Sequence, residues 1–366
     1  MIYAIGCIAT IAAAYQLIAT AACLFRRGTG SLAACPPSPV SILKPIHGTP
    51  EGFREALRSH ANQNYPTFEL LLGYKRPQDP ALPEIHRAIS EFPATQIRAV
   101  QCSQEAPNHK VGVLIDLAKA ARYPVIIVND ADIAVPPNYI RDVTGPLNDP
   151  TIGLVTCIYR AEGTSWPSRC EALGVATDFA PSALVAPFVG VSEFGLGSTL
   201  AFRRADLDRI GGFAAIADYL ADDYQLGCEI HALGLRNIVS PVLVSTRLHG
   251  QSWGDVWRHQ LRWARTIRLS RKGGYLGLPV TFATLWALVA AASGQWQAAI
   301  VLLSLRLIMA ITAGWFVLRS PDVLRLSPLI PLRDLYGVAV WVCALFGDTV
   351  EWGEETLRLD KQGRIK

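Results

Sequence analysis

Charge is scarce in this chain: Asp, Glu, Lys and Arg are 17% of 366 residues, hydrophobic residues are 51%, and mean hydropathy is positive. No charge occurs between positions 2 and 25, a run long enough to cross a bilayer. Basic residues are missing ahead of that run and instead follow it, as Arg26-Arg27, and its small residues are spread throughout. That pattern argues against a cleaved signal peptide and for an anchor. The eight cysteines, at 7, 23, 35, 102, 157, 170, 228 and 343, never fall at Cys-x-x-Cys spacing. Neither a zinc site nor a thioredoxin-like motif is therefore suggested. The net charge of +4 is modest, and Lys and Arg are spread rather than massed, so no nucleic-acid partner is expected. There is no internal repeat and no low-complexity tract.

What charge there is stands out in three islands, in order Asp130-Ala131-Asp132, Asp222-Asp223 and the basic-aromatic His259-Gln260-Leu261-Arg262-Trp263. The first follows Val125-Ile126-Ile127-Val128, too short for a helix and β-branched enough for a buried strand. Its carboxylates then emerge at a strand's C-terminal end, where open α/β sheets bind ligands, and alternation would let Asp130 and Asp132 lean the same way. A hard divalent cation, Mg or Mn, would accept their oxygens and keep its other positions for water and a diphosphate. Taken alone, such a pair reads equally well as a solvated turn.

The islands, with Ser41-Ile42-Leu43-Lys44-Pro45, Asn62-Gln63-Asn64-Tyr65-Pro66, Asn108-His109-Lys110, Gly153-Leu154-Val155-Thr156, Gly211-Gly212-Phe213 and Arg262-Trp263-Ala264-Arg265-Thr266-Ile267-Arg268 in this order, resemble family 2-like inverting glycosyltransferases. The likeness is strongest to the ceramide glucosyltransferase-like branch that includes bacterial hopanoid glycosyltransferases, over roughly residues 38–270. It implies an α/β, glycosyltransferase A-type fold with N- and C-terminal transmembrane helices, a UDP-sugar donor and a lipid acceptor, hopanoid or sphingolipid-like. The expected reaction moves N-acetylglucosamine from UDP-N-acetylglucosamine to bacteriohopanetetrol. Alternatives are glucosyl transfer to ceramide or diacylglycerol, a processive polysaccharide synthase, and a catalytically dead scaffold.

The resemblance also distributes roles. Asp223, with Leu226 three positions on, maps onto the base that deprotonates the acceptor, with Asp222 as its supporting neighbour. Asp130 and Asp132 map onto the metal ligands, and Lys110, at a helix start, onto a diphosphate contact. Arg262 offers a fork of donors to phosphate and Trp263 a flat wall beside the acceptor. His259 stands where the family usually has Gln or Arg, as the hopanoid-type relatives also allow. His249 reads as a third metal ligand, a diphosphate contact or a packed surface residue. In the stretch Arg76-Pro77-Gln78-Asp79-Pro80-Ala81, Arg76 replaces the family's first acidic residue. Asp79 is left to recognise base and ribose, or to cap a turn before Pro80.

Strands are expected at 40–43, 68–74, 96–100 and 125–128, alternating with helices at 50–62, 83–91 and 111–121, which implies a largely parallel sheet. The domains expected are an anchor at 1–27, a cytoplasmic glycosyltransferase domain at 38–272 after a proline-rich linker at 34–40, membrane segments at 273–348 and a tail at 349–366. Apolar runs at 275–293 and 296–318 read as spans, and Arg306 within the second should face protein, water or a head group, or snorkel. A further run at 329–346, with Pro331, Arg333 and Asp334 early in it, either spans or lies in the interface. The apolar stretch 173–191 is either an interfacial element beside the acceptor or ordinary core. Arg26-Arg27 after the first run places the domain in the cytoplasm, so the localisation expected is a bacterial inner membrane, multi-pass. Arg258, Arg262, Arg265, Arg268, Arg271 and Lys272 beside a span suit anionic lipid heads and phosphates.

Overall fold

The computed structural model describes residues 2–26, 37–352 and 355–366; Arg27 and positions 34–36 of the linker lie outside the described residues. After α1 (Ile2–Leu24) come β1 (Val40–Pro45), α2 (Phe53–Ala61), β2 (Phe68–Tyr74), α3 (Leu82–Glu91), β3 (Gln96–Gln101), α4 (His109–Ala120) and β4 (Val125–Val128). The four strands pair in parallel in the order β3-β2-β1-β4. All four residues of β4 are buried, as its continuous apolar run demands, and so are the first five of β1, Ser41 and Lys44 included. β3 lies at the sheet edge and buries only Ile97.

The second half supplies α5 (Tyr139–Thr144), β5 (Ile152–Gly163), α6 (Trp166–Gly174), α7 (Ala180–Phe188), β6 (Leu200–Arg203), α8 (Arg204–Arg209), α9 (Asp222–Ala232) and β7 (Arg236–Leu248). β6 runs antiparallel between β4 and β5, and β7 is parallel to β5, giving the order β3-β2-β1-β4-β6-β5-β7. The sheet is thus largely parallel, with one reversed strand. One face packs on α2, α3 and α5 through Leu57, Ile85 and Tyr139; the other packs on α4, α8 and α9 through Leu114, Leu207 and Leu226. The β5–β7 register slips between Cys157 and Tyr159, opposite Pro241, which has no N–H to give the ladder.

Beyond the sheet lie α10 (Trp253–Ser270), α11 (Lys272–Gly277), α12 (Ala283–Ala292), α13 (Trp296–Ile311), α14 (Pro321–Arg325), α15 (Ile330–Ala344), β8 (Thr349–Trp352) and β9 (Glu355–Arg358). A reciprocal cap starts α10: Ser252 Oγ accepts from Asp255 N at 3.2 Å, and Asp255 Oδ2 accepts from Ser252 N at 2.9 Å. Two helices, Ile5–Leu24 and Trp296–Val317, are long and apolar enough to cross a membrane. The run at 275–293, expected as a span, is a bent pair of helices that together are long and apolar enough for one. It breaks by 50° between Lys272–Thr281 and Ala283–Ala292, where Pro279 sits in a short 3-10 turn and Phe282 leaves helical geometry. Helix α15 has only 15 residues and buries Arg333.

Small residues bring these helices together. Ala9 and Ala12 of α1 meet Ala287, Ala290 and Ala299 of α12 and α13, which lets the backbones approach closely. Farther along, Ala19 and Ala22 pack on Ala176, Ala180 and Ala183 and on Ala310 and Ala313. The stretch 173–191, comprising the end of α6, a π-helical turn (Val175–Phe179) and α7, is therefore core on its inner face. Its tip, Phe188 and Val189, is exposed.

Candidate active site

The switch in strand order places the ends of β1 and β4 side by side, and the site is built there. As the chain leaves β4, buried Asn129 donates through Nδ2 to Tyr139 Oη at 2.8 Å and to the Ser198 carbonyl at 2.7 Å. Strand geometry has ended at Val128, so a turn presents Asp130 and Asp132, not strand alternation. The two side chains take different partners as a result. Lys44, fully buried at the end of β1, closes this turn from beneath, its Nζ donating to the carbonyls of Asp130 at 2.9 Å and Ile133 at 3.4 Å. Burial pushes its ammonium down to about 7, against the pull of Asp132 and Asp130.

Helix α4 begins where Asn108 Oδ1 accepts from Val111 N at 3.2 Å, while Asn108 Nδ2 donates to the Tyr219 carbonyl at 2.8 Å. Lys110, in the first turn, reaches Asp130 Oδ1 at 2.9 Å and Asp222 Oδ2 at 3.0 Å. Burial alone would lower its pKa, but Asp130, Asp222 and Asp223 more than reverse that, and it stays protonated. The same cation thereby joins the first two acidic islands. Asp222 is the first helical residue of α9 and is not its cap; its carboxyl is nevertheless raised, chiefly by burial, with Lys110 opposing.

Asp223 accepts at Oδ2 from Gly197 N at 2.7 Å and at Oδ1 from its neighbour Tyr224 N at 2.8 Å. Burial first and Asp222 second push this carboxyl up to about 6, Lys110 opposing. Glycines make the fit possible. A Cβ on Gly197 would stand 2.9 Å from Asp130 Oδ2 and 3.3 Å from Asp223 Oδ2, and one on Gly227 would stand 2.4 Å from Gly195 N. Residues 195–197 thus form a strap pressed between Asp130 and the start of α9.

Asp132 takes a hydrogen bond from Thr246 Oγ1 of β7, and its carboxyl is raised by burial and by Asp130. Two neighbouring carboxylates of hard oxygen donors, one with Oδ2 facing the glycine strap, suit a divalent cation whose other ligands come from diphosphate and water. No group of three or more His, Cys, Asp or Glu side chains with metal-binding placement occurs among the described residues. His249 lies apart and exposed, accepting at Nε2 from Glu51 N at 3.3 Å with Nδ1 3.6 Å from Glu51 Oε2.

Helix α10 brings the third island over the cluster. The Arg262 guanidinium makes no hydrogen bond or ion pair among the described residues; burial lowers its pKa, while Asp130, Glu171 and Asp223 pull it up. His259 Nδ1 donates to Glu171 Oε1 at 2.6 Å, and Gln260 Nε2 donates to the same oxygen at 2.9 Å. The His259 ring is 4.6 Å from that of Trp263, which is 6.0 Å from Phe179, itself 5.3 Å from Tyr159. Burial, then Glu171, Asp132, Asp130 and Asp223, hold the Tyr159 phenol well above its usual range. Asp79 is buried and turned into the backbone, accepting from Ala81 N at 2.9 Å and Gly48 N at 3.3 Å; Arg76 is exposed. Lys44, Tyr159 and Glu171 carry no local sequence signal for these positions, apart from Lys44 ending an apolar strand.

A family model described as Glycosyl transferase family 21 matches residues 1–365. Ceramide glucosyltransferase 1 of Caenorhabditis elegans is 28% identical over 205 residues, 55% of this chain and 44% of that protein. Ceramide glucosyltransferase 3 of the same organism is 24% identical with the same coverage. The match spans somewhat less than half the length of these relatives. Among solved structures, a mannosyltransferase from Pyrobaculum calidifontis in complex with GDP-Man and Mn2+ superposes with a TM-score of 0.56 at 18% identity, covering 95% of this chain and all of that one. The fold is shared, a glycosyltransferase A-type sheet with apolar helices at either end.

Proposed function

We propose that this chain, which belongs to glycosyl transferase family 21, transfers a sugar from a nucleotide donor to a hydroxyl of a membrane lipid by a single in-line displacement. The observation that carries the reading is the Lys110-centred cluster, which sets Asp130 and Asp222 on one ammonium with Asp223 beside them. Asp223 is the base. Its carboxyl, held near 6, is ionised at neutral pH yet basic enough to take a hydroxyl proton, and each oxygen keeps a lone pair beyond the one its backbone N–H occupies. The Arg262 guanidinium, without a partner among the described residues, would meet the departing diphosphate, and Trp263 would wall the acceptor side. Asp130 and Asp132 would hold Mg or Mn, which when bound supplies charge stabilisation to the leaving group. Lys110 bridges Asp130 and Asp222 and offsets their mutual repulsion, and Asp79 ties the loops after β1 and β2 where a base and ribose would lie.

In this reading the sheet domain, residues 38–272, sits on the cytoplasmic face. Arg26 supports that placement, its Nη2 donating to the Ser240 carbonyl of β7 at 3.2 Å, so the basic end of α1 is the end that meets the sheet. The names of the curated relatives favour a ceramide acceptor and a glucosyl donor, whereas the motifs of the third island favour a hopanoid. Purified protein given labelled UDP-glucose or UDP-N-acetylglucosamine with ceramide, diacylglycerol and bacteriohopanetetrol decides between them. A lipid product of inverted anomeric configuration is expected with one pair, and its absence with every pair would sink the lipid-transfer reading.

A further inference from the structure

Among α1, the π-helical turn after α6, α10, α13 and α15 lies a cavity of about 250 Å³. Phe179 and Trp263 line it, and the Phe179 ring also lies against Tyr159, whose phenol feels the carboxylates of the transfer site. Phe179 therefore links the cavity to the neighbourhood of the aspartates. Ile267, Phe282, Met309 and Trp341 make the rest of its wall apolar.

One end of the cavity is charged. Arg306, only 2% exposed, donates through Nε to Asp334 Oδ2 at 2.9 Å, through Nη1 to the Thr177 carbonyl at 2.8 Å and through Nη2 to Asp178 Oδ1 at 2.6 Å. Of the surroundings left open for it by the sequence, Arg306 takes protein. Both oxygens of Asp334 have partners, Oδ2 taking Arg306 and Thr284 Oγ1 and Oδ1 taking Arg306. Asp178 is not: its side chain is 45% exposed, and Oδ2 has no hydrogen-bond partner among the described residues. Arg333, with Nη1 buried and unpartnered, completes the set. The charged side chains lining the cavity, Asp178 and Asp334 against Arg306 and Arg333, sum to zero.

We infer that this cavity seats the polar head of the acceptor, resting on the lipid-transfer reading above, and that Asp178 Oδ2 accepts a hydrogen bond from a hydroxyl or amide of that head. The ligand class is an uncharged amphiphile. An anionic head would bring a charge that the balanced lining leaves uncompensated, at a cost that a low-dielectric site magnifies. Ser182, exposed on α7 and bonded to Tyr15 of α1 across 3.2 Å, marks the opening through which a tail would leave. Asp178 is a positioning residue in this scheme, since it touches the acceptor away from the reacting hydroxyl.

The test uses the full chain in nanodiscs with an N-acyl sphingosine carrying a diazirine in its acyl chain. Adducts should map to Ile267, Phe282 or Met309, fall at least fivefold in Ser182→Trp, and be competed by dioctanoylglycerol but not by farnesyl phosphate. Asp178→Ala, which leaves Arg306 its pair with Asp334, should raise the acceptor KM about tenfold while kcat and the dissociation constant for UDP change less than twofold. Retained UDP binding shows that either variant is folded. Adducts confined to outward-facing Ile300, Val301 and Phe316, unchanged by Ser182→Trp in an enzyme that does glycosylate lipid, would overturn the cavity and spare the lipid-transfer reading. Cavity adducts in a protein that glycosylates no lipid would do the reverse. Competition by farnesyl phosphate alone would overturn the uncharged ligand class.

Discussion

At the scale of single residues the site turns on the Asp223 proton. With Asp223 as the proposed base, the ionised form would be the active one, so kcat/KM should be lost as pH falls, with a midpoint near 6, and level off above it. Asp222→Asn removes the second cause of the upward shift, and that midpoint should then move to lower pH; an unmoved midpoint would take Asp223 out of the base role. Asp223→Asn should reduce transfer at least a hundredfold with UDP binding changed less than twofold, as read by single-turnover assay and titration. Arg262→Ala should weaken donor binding roughly ten- to a hundredfold, the worth of about 1.5–3 kcal/mol for charge-assisted bonds to a diphosphate. The aspartates were readable in the sequence because carboxylates stand out against an apolar chain. Lys44 and Glu171 were not, because what they do is set by partners 86 and 88 positions away, Asp130 and His259. Asp79 remained ambiguous for the same reason: only the fold shows both its oxygens taken by backbone N–H groups.

At the scale of elements, the strap at 195–197 couples packing to chemistry. A methyl group at Gly227 would collide with the backbone of Phe194 and Gly195, so α9 must back away from the strap whose Gly197 N–H holds Asp223. Gly227→Ala should therefore cost about 1–3 kcal/mol, the usual range for overpacking, read as a lowered Tm, and should reduce kcat as well. A stable variant with full activity would show that α9 tolerates the displacement. Strands were the most legible elements: β2 and β4 have the limits that their apolar runs and flanking polar residues suggest. Helix α4 starts earlier than its apolar pattern because the Asn108 cap recruits His109 and Lys110. The break at Phe282 escaped notice because hydropathy counts apolar residues and is blind to backbone direction. The reversal of β6 was equally invisible, since a four-residue apolar strand reads alike in both directions.

At the scale of the molecule, the C-terminal residues lie against the site instead of trailing from it. Ile365 N donates to the Asp218 carbonyl at 2.7 Å, Leu220 N to the Gly363 carbonyl at 3.3 Å, and the Arg364 guanidinium stacks 5.2 Å over Tyr219. Tyr219 in turn receives the Asn108 amide that caps the Lys110 helix, and Asp222 follows three residues later. Deleting residues 349–366 should thus raise the donor KM several-fold and lower kcat, with helix content by circular dichroism nearly unchanged; unaltered kinetics would make the tail a bystander. The Arg306 ion pairs have a different consequence, in the order of biosynthesis. Asp178 leaves the ribosome 128 positions before Arg306, and Asp334 leaves 28 positions after it. In the membrane-bound reading the helix that carries Arg306 would enter the bilayer with one counter-ion already made and the other still to come, so its insertion would depend on whether the turn that carries Asp178 has formed. On that reading a fragment ending at 272 would keep α7 packed on α1 but leave Asp178 without its guanidinium partner.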